Sequence, residues 1–520
     1  MKEECGVVGV LLDDTKSQSK TVALQIYYSL YALQHRGQES TGITVYNGGS
    51  THTLKGMGLV PEVYAREDIV KLVGHVGIGH VRYSTTGQSR IENCQPLIVN
   101  YKSGTVAIAH NGNLINGSDL RDELESEGRI FITDSDTEVV AHLLVKELLK
   151  HGPVESIKNV MKRLEGSYSL VIMIDDLLIA ARDPLGIKPL CIGKTDLGLV
   201  VASESVAIDT LNGKLIRDVK PGEIVVLKDG EVESHQVYNT THAAHCVFEY
   251  IYFARPDSVI DGQLVYKVRE RIGRELAKEH SVEADIISPV PDSGITSAVG
   301  YSRESKIQYQ EGLMKNRYIG RTFILPGQEM REIAVRLKMN TIAENIEDKK
   351  VVLIDDSVVR GTTSRRIINM IKDSGAREVH ARIGSPAIIA PCYMGIDMAT
   401  REELIAANNK VENICNTINA DSLGYLSVDG LVRAIGLDKE DLCMGCLTEV
   451  YPLEIPGENA SAGKPGLINS KPFCFSYKCR IQKQTCITQN NTCYNIRRIM
   501  YTHHYPADTH RYGNYPEQIT

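Results

Sequence analysis

The sequence predicts two halves of different class: an α+β half built on antiparallel sheet, then an α/β half built on parallel sheet. Three observations predict this. At 520 residues the chain exceeds what one hydrophobic core ordinarily serves. Residues 5–238 read as short strands and turns with few helical patterns. From about residue 263, strand–turn–helix–strand units recur, the layout of a parallel sheet with crossover helices. The boundary falls near 238–245, which gives halves at 5–238 and 245–456 and a tail at 457–520.

In the first half, HVGIGHVRYS (75–84), TVAIAHNGNL (105–114), YSLVIMI (168–174) and GLVVASES (198–205) have strand lengths and compositions. EIVVLKDGEVESHQV sets Asp229-Gly230 between two extended runs, a strong hairpin signal. Helices are expected at 21–34 and at 136–150, where apolar residues recur at helical spacing. In the second half, LVYKVRERIGRELAKEH places Val265, Val268, Ile272 and Leu276 on one helical face. The strand DIISPV, the turn PDSG, the strand VVLI, the helix TSRRIINMIKDSG and the strand EVHARIG follow, with Gly375 positioned to end that helix. The tail opens on a linker-like GENASAGKPGLINSK and then lacks periodicity, so no structure is assigned to it.

A hydrophobic content of 42%, 24% charged residues and a net charge of -7 describe a soluble globular chain, with no reason to expect a nucleic-acid partner. No stretch approaches the roughly 18 uncharged apolar residues of a membrane span. The acidic start MKEECGVVGV lacks a signal-peptide layout, so the cytoplasm is expected. Twelve cysteines without an export signal suggest thiol or metal chemistry before disulfides.

VVLIDDSVVRGTTS (351–364) ends an apolar strand on Asp355 and Asp356, although an unpaired buried charge costs several kcal/mol. Ligands of parallel α/β sheets bind beyond the carboxyl ends of strands, and the small-residue turn before a helix offers N–H groups and hydroxyls to an anion. The turn lacks the Gly-Lys-Ser/Thr of a nucleotide P-loop. The full string resembles the phosphoribosyl pyrophosphate (PRPP) motif of type I phosphoribosyltransferases. That resemblance implies that Asp355 and Asp356 bind the ribose hydroxyls. It gives the 5-phosphate to the turn from Ser357 to Thr363, which includes Arg360, Gly361 and Thr362. PVPDSG (289–294) matches the family's pyrophosphate loop, with Ser293 and the aspartate pair near Mg²⁺. RTFILPGQEMREIAVRLKMN (321–340) matches its mobile lid, whose Lys338 reaches the pyrophosphate.

ECGVVGV sets Cys5 before a strand. A lone small cysteine ordinarily belongs to a core. Removal of residues 1–4 as a propeptide would change its chemistry, because its own α-amine, with a pKa of about 8, could then act as base to its thiol. HNGNL offers Asn111 and Gly112 as oxyanion donors, GHVRYSTTG offers Arg82 as a carboxylate fork, and DSDTEV offers Asp136 as an anion for an ammonium. Together with LQHRGQES (33–40) these residues resemble the class II glutamine amidotransferases, of N-terminal-nucleophile fold. The resemblance implies that Cys5 hydrolyses glutamine, that Arg82 and Asp136 hold its two charges, and that Arg36 supports the site.

A glutaminase followed by a PRPP domain resembles, over roughly residues 5–456, the glutamine PRPP amidotransferases. Members release ammonia from glutamine and join it to PRPP as 5-phosphoribosylamine, the first committed step of purine synthesis. They respond to purine nucleotides as feedback inhibitors and form homo-oligomers, here expected as a homotetramer or dimer. The rival reading is a PRPP-sensing regulator of phosphoribosyltransferase fold, for which the glutaminase residues would have no purpose. DLCMGCL is a Cys-x-x-Cys pair that alone suits zinc, an iron–sulfur cluster or a redox pair. The surroundings of Cys246 and Cys392 match cluster ligands in one branch of the family. This implies a structural [4Fe–4S] cluster on Cys246, Cys392, Cys443 and Cys446, in a branch that also carries a cleaved propeptide. Cys474, Cys479, Cys486 and Cys493 of the tail are the competing set.

Overall fold

The computed structural model describes residues 4–13, 22–83, 88–316, 339–398 and 400–455, all within one compact unit spanning residues 1–460. The tail and residues 317–338, which include Lys338 and most of the segment expected to form a lid, lie outside the described residues.

Two antiparallel sheets build the first half. One has seven strands, with Gly6–Leu12 in its middle between Gly198–Ala202 and Val76–Arg82. The other has six, centred on Gly166–Ile174 and Leu177–Arg182, with Gly104–Leu114 beside the former. The sheets pack face to face: Val7, Leu11, Val76 and Ile78 of the first meet Ala107, Ala109, Val171 and Met173 of the second. Their outer faces are covered as well. Val8, Val10 and Leu12 lie under the helix Val22–Ala32, and Val106 and Ile108 lie under Asp136–Leu148 and Pro153–Met161. Coverage on both faces explains why GVVGVLL is apolar throughout instead of alternating, since neither face meets water. The expected hairpin joins Glu223–Lys228 to Glu231–Gln236, with Asp229 and Gly230 both at positive φ, 52° and 75°.

The second half holds a five-stranded parallel sheet in the order Gln308–Tyr309, Ile286–Pro289, Lys350–Asp355, Glu378–Ile383, Ser422–Tyr425. Alternate residues of its central strand face different cores. Val352 and Ile354 meet Val265, Val268, Ile272 and Leu276 of the helix Val265–Glu279, the face expected from the sequence. Val351 and Leu353 meet Ile367, Ile368 and Ile371 of the helix Thr362–Asp373, which ends as expected just before Gly375.

The halves are tied together. Ile187 of the first half shares a core with Ala244–Ala254 and with Leu442, Met444 and Leu447 near the end of the unit.

Candidate functional site: two reaction centres and a cysteine group

Cys5 stands one residue ahead of the central strand of the seven-stranded sheet. Its Sγ donates to the Tyr83 carbonyl at 3.3 Å. Burial pushes its thiol up to about 11, so in the uncleaved chain it is a neutral donor. Arg82, on the strand paired with it, is buried and directs Nη1 to Glu39 at 2.6 Å and to the Gln88 carbonyl at 3.3 Å.

Asn111 and Gly112 lie on Gly104–Leu114, opposite Ser169 and Tyr168. Asn111 is 1% exposed, and its Nδ2 has no hydrogen-bond partner, an expensive state for a buried amide unless a ligand completes it. Asp136 begins the helix Asp136–Leu148, where an anion suits the helix dipole. Its Oδ2 accepts the Leu114 N–H at 3.0 Å, and its Oδ1 is 3.5 Å from His110 Nδ1. Burial alone would raise its pKa, but the His110 ring and the Leu114 and Thr137 N–H groups hold it below the usual value.

Arg36 supports Cys5 from beneath. Its Nε donates to the Cys5 carbonyl at 2.9 Å, and its two amino groups reach Glu204 at 2.6 Å, Glu249 at 2.6 and 2.9 Å, and Glu4 at 3.1 Å. All four side chains are buried, as is Lys188, whose Nζ meets Glu4 at 2.5 Å. Burial first, then the nearby Glu249, pushes the Glu4 carboxyl up to about 8. Sequence reasoning missed Glu204, Glu249 and Lys188, because isolated charges in strands and turns read as surface. Their only signal was that each sits within an apolar neighbourhood.

The aspartate pair ends the central parallel strand and opens into a cavity of about 410 Å³. Ser293, Ser357, Arg360, Gly361, Thr362 and Thr363 line it with Asp355 and Asp356. Burial, and then the adjacent Asp356, hold the Asp355 carboxyl well above its usual range. Two crowded carboxylates of this kind fit a divalent cation or ribose hydroxyls that would relieve them. Tyr252 and Asp397 also line the cavity, and sequence reasoning missed both because they arrive from distant segments. A second cavity of about 330 Å³ shares Tyr252 and Ser293 with the first and reaches His35 and Gln38, next to Arg36.

The four cysteines expected to act together lie in one core. Cys246 and Cys443 are register partners in a short parallel pairing, and the Ile389 and Ala390 N–H groups both donate to the Cys446 carbonyl. The Met394 N–H points at Cys392 Sγ at 3.3 Å. All four are free thiols. Burial, and then Cys392, pushes the Cys443 thiol up to about 12. Among the described residues no three His, Cys, Asp or Glu side chains form a group that could hold a metal ion. Four free thiols packed in one core, Cys246 and Cys446 buried and Cys392 and Cys443 half-buried, are the donor type an iron–sulfur cluster takes.

Known proteins match this architecture. The glutamine amidotransferase domain family matches residues 80–210. The amidophosphoribosyltransferase of Methanocaldococcus jannaschii is 54% identical over 467 residues, 87% of this chain and 98% of that protein. That of Archaeoglobus fulgidus is 55% identical over 457 residues, 87% of this chain and 99% of that protein. The solved structure of the Bacillus subtilis glutamine PRPP amidotransferase, complexed with ADP and GMP, superimposes with a TM-score of 0.81 at 45% identity, covering 87% of this chain and 98% of that one.

Fold and site therefore define a glutamine amidotransferase fused to a pentosyltransferase. The chain belongs to the amidophosphoribosyltransferase family, whose reaction opens purine biosynthesis. Enzyme activity of this kind displaces the PRPP-sensing regulator as the reading of the whole chain.

Proposed function

We propose that Cys5, made N-terminal by loss of residues 1–4, hydrolyses glutamine, and that the ammonia reaches PRPP bound at Asp355 and Asp356. The unpartnered Asn111 amide beside Gly112 carries the first part of this reading. With the thiol raised to about 11 by burial, a base is needed, and the α-amine freed by cleavage would stand on the same residue. Arg82 holds the glutamine carboxylate and Asp136 its ammonium. Cys5 Sγ attacks the side-chain amide carbon and passes its proton to the α-amine. The carbonyl electrons move onto the oxygen, which Asn111 Nδ2 and the Gly112 N–H receive. Collapse expels ammonia, protonated through the α-amine, and water then cleaves the thioester to glutamate.

The cavity that shares Tyr252 and Ser293 with the aspartate site and reaches His35 and Gln38 supports an internal path for ammonia. In the second centre Asp355 and Asp356 fix the ribose hydroxyls, and the Ser357–Thr363 turn fixes the 5-phosphate. Ammonia attacks the ribose C1, and the C1–O bonding pair leaves with pyrophosphate, which Lys338 steadies. Mg²⁺, held near Ser293 and the aspartate pair, neutralises the leaving pyrophosphate when bound. Cys246, Cys392, Cys443 and Cys446 hold a [4Fe–4S] cluster as a structural tie. Purine nucleotides act as feedback inhibitors, a reading supported by the ADP and GMP bound in the Bacillus subtilis structure. A homo-oligomer in the cytoplasm, with domains at 5–238 and 245–456, completes the reading. Pyrophosphate release from PRPP, with glutamine and with ammonia as alternative nitrogen sources, tests it. Release with neither source refutes the reading.

A further inference from the structure

We infer that Ser167 and the Tyr393–Gly395 turn are positioning elements that hold the oxyanion backbone of the first half from the second half. The inference rests on Asn111 and Gly112 being the oxyanion donors. Gly112, at φ +151°, is crowded by two other stretches of backbone. A Cβ there would stand 2.1 Å from the Ser167 carbonyl oxygen. Gly395, at φ +91°, approaches so closely that a Cβ on it would stand 3.0 Å from the Gly112 carbonyl carbon. Only two glycines allow such a backbone-to-backbone approach.

Hydrogen bonds pin this contact. The buried Ser167 hydroxyl accepts the Asn113 N–H at 3.3 Å and donates to the Met394 carbonyl at 2.8 Å, joining the two halves through one oxygen. The Asn113 side-chain amide donates to the Tyr393 carbonyl at 3.0 Å. An oxyanion donor works only if it is already in place when the charge develops. This brace fixes the peptide that carries the Gly112 carbonyl and the Asn113 N–H, and with it the direction of the neighbouring Gly112 N–H.

Removing the hydroxyl by Ser167→Ala leaves Asn113 N–H and Met394 O without that partner and lets the strand drift. A small misplacement of this kind costs about 10–100-fold in turnover. Glutaminase kcat is expected to fall by that factor, with KM for glutamine held within about twofold, because Arg82 and Asp136 are untouched. Ammonia-dependent synthesis should match the parent. The γ-aldehyde of glutamate supplies a readout that a merely structural role would not move. It adds to the Cys5 thiol as a thiohemiacetal whose oxygen occupies the oxyanion position, so its affinity should fall by the same factor as kcat. Gly395→Ala, whose new Cβ would press on the Gly112 carbonyl carbon, should reproduce both effects if the first variant fails to fold. Asn111→Ala separates the two readings. If it keeps both kcat and aldehyde affinity, the oxyanion assignment fails. If it loses both while Ser167→Ala and Gly395→Ala behave as the parent, the brace is refuted. Equal loss of ammonia-dependent activity in folded Ser167→Ala also refutes it.

Discussion

Replacing Arg36 by methionine tests the buried charge network beneath Cys5. Arg36 is fully buried, so its loss removes a shared cation from carboxylates that are themselves buried. The damage is uneven. Glu204 gives up one contact and keeps His35 Nε2 at 2.7 Å, the Arg255 N–H at 2.9 Å and the Ser258 hydroxyl at 2.6 Å. Glu249 gives up both of its short contacts to the guanidinium. Breaking a buried pair in this way costs about 3–5 kcal/mol, whereas replacing both partners by apolar groups is close to neutral. Arg36→Met should therefore lose about that much, and Arg36→Met with Glu249→Leu should recover most of it. The sign with pH is also fixed. In the parent, burial would raise the Glu249 carboxyl, but Arg36 holds it below its usual 4.5. That contribution is present above the unfolded pKa and is lost as pH falls through the lower folded value. Without Arg36 burial dominates and the folded pKa rises above the unfolded one. The variant is then least impaired in acid and most impaired at neutral pH. The chain contains no tryptophan, so urea unfolding is best followed by far-ultraviolet circular dichroism at several pH values. A double variant as unstable as the single one, or a deficit that widens in acid, would refute the reasoning.

Cys5→Ala should abolish glutamine-dependent synthesis and leave ammonia-dependent synthesis intact, and intact mass spectrometry of active parent enzyme should show residues 1–4 removed. Asp355→Asn and Asp356→Asn should impair PRPP turnover while sparing basal glutaminase, so equal loss of both half-reactions in folded protein counts against two separate centres. Protein purified without oxygen should be brown, with about four iron atoms per chain, and Cys443→Ser should bleach it. A cluster lost on deleting only 457–520 would move the ligands to the tail.

The readable parts of this molecule were those in which chemistry and chain run together. The strand, acidic pair, turn and helix of 350–373 are contiguous, so local pattern was enough to locate the cavity that the aspartate pair lines. Asp229-Gly230 was readable for the same reason. Arg36 could be assigned to the site, but its task could not, because Glu204 and Glu249 come from other segments. Tyr252 and Asp397 escaped notice because nothing next to them in sequence announces a cavity. His110 escaped too, since a single histidine in an apolar strand gives no sign that its ring will stand beside Asp136.

The stretch from Cys392 to Asp397 has a consequence for anyone recombining these enzymes. Its first residue belongs to the cysteine core, its middle holds the strand of Asn111 and Gly112, and its last lines the aspartate cavity. One inserted or deleted residue would move at least one of these contacts out of register with the others, so its length is constrained more tightly than its composition. A glutaminase half borrowed from another amidotransferase would meet this ruler from the wrong side. Chimeras joined at the 238–245 boundary should work only when the donor strand presents a glycine and a hydroxyl where Gly112 and Ser167 stand.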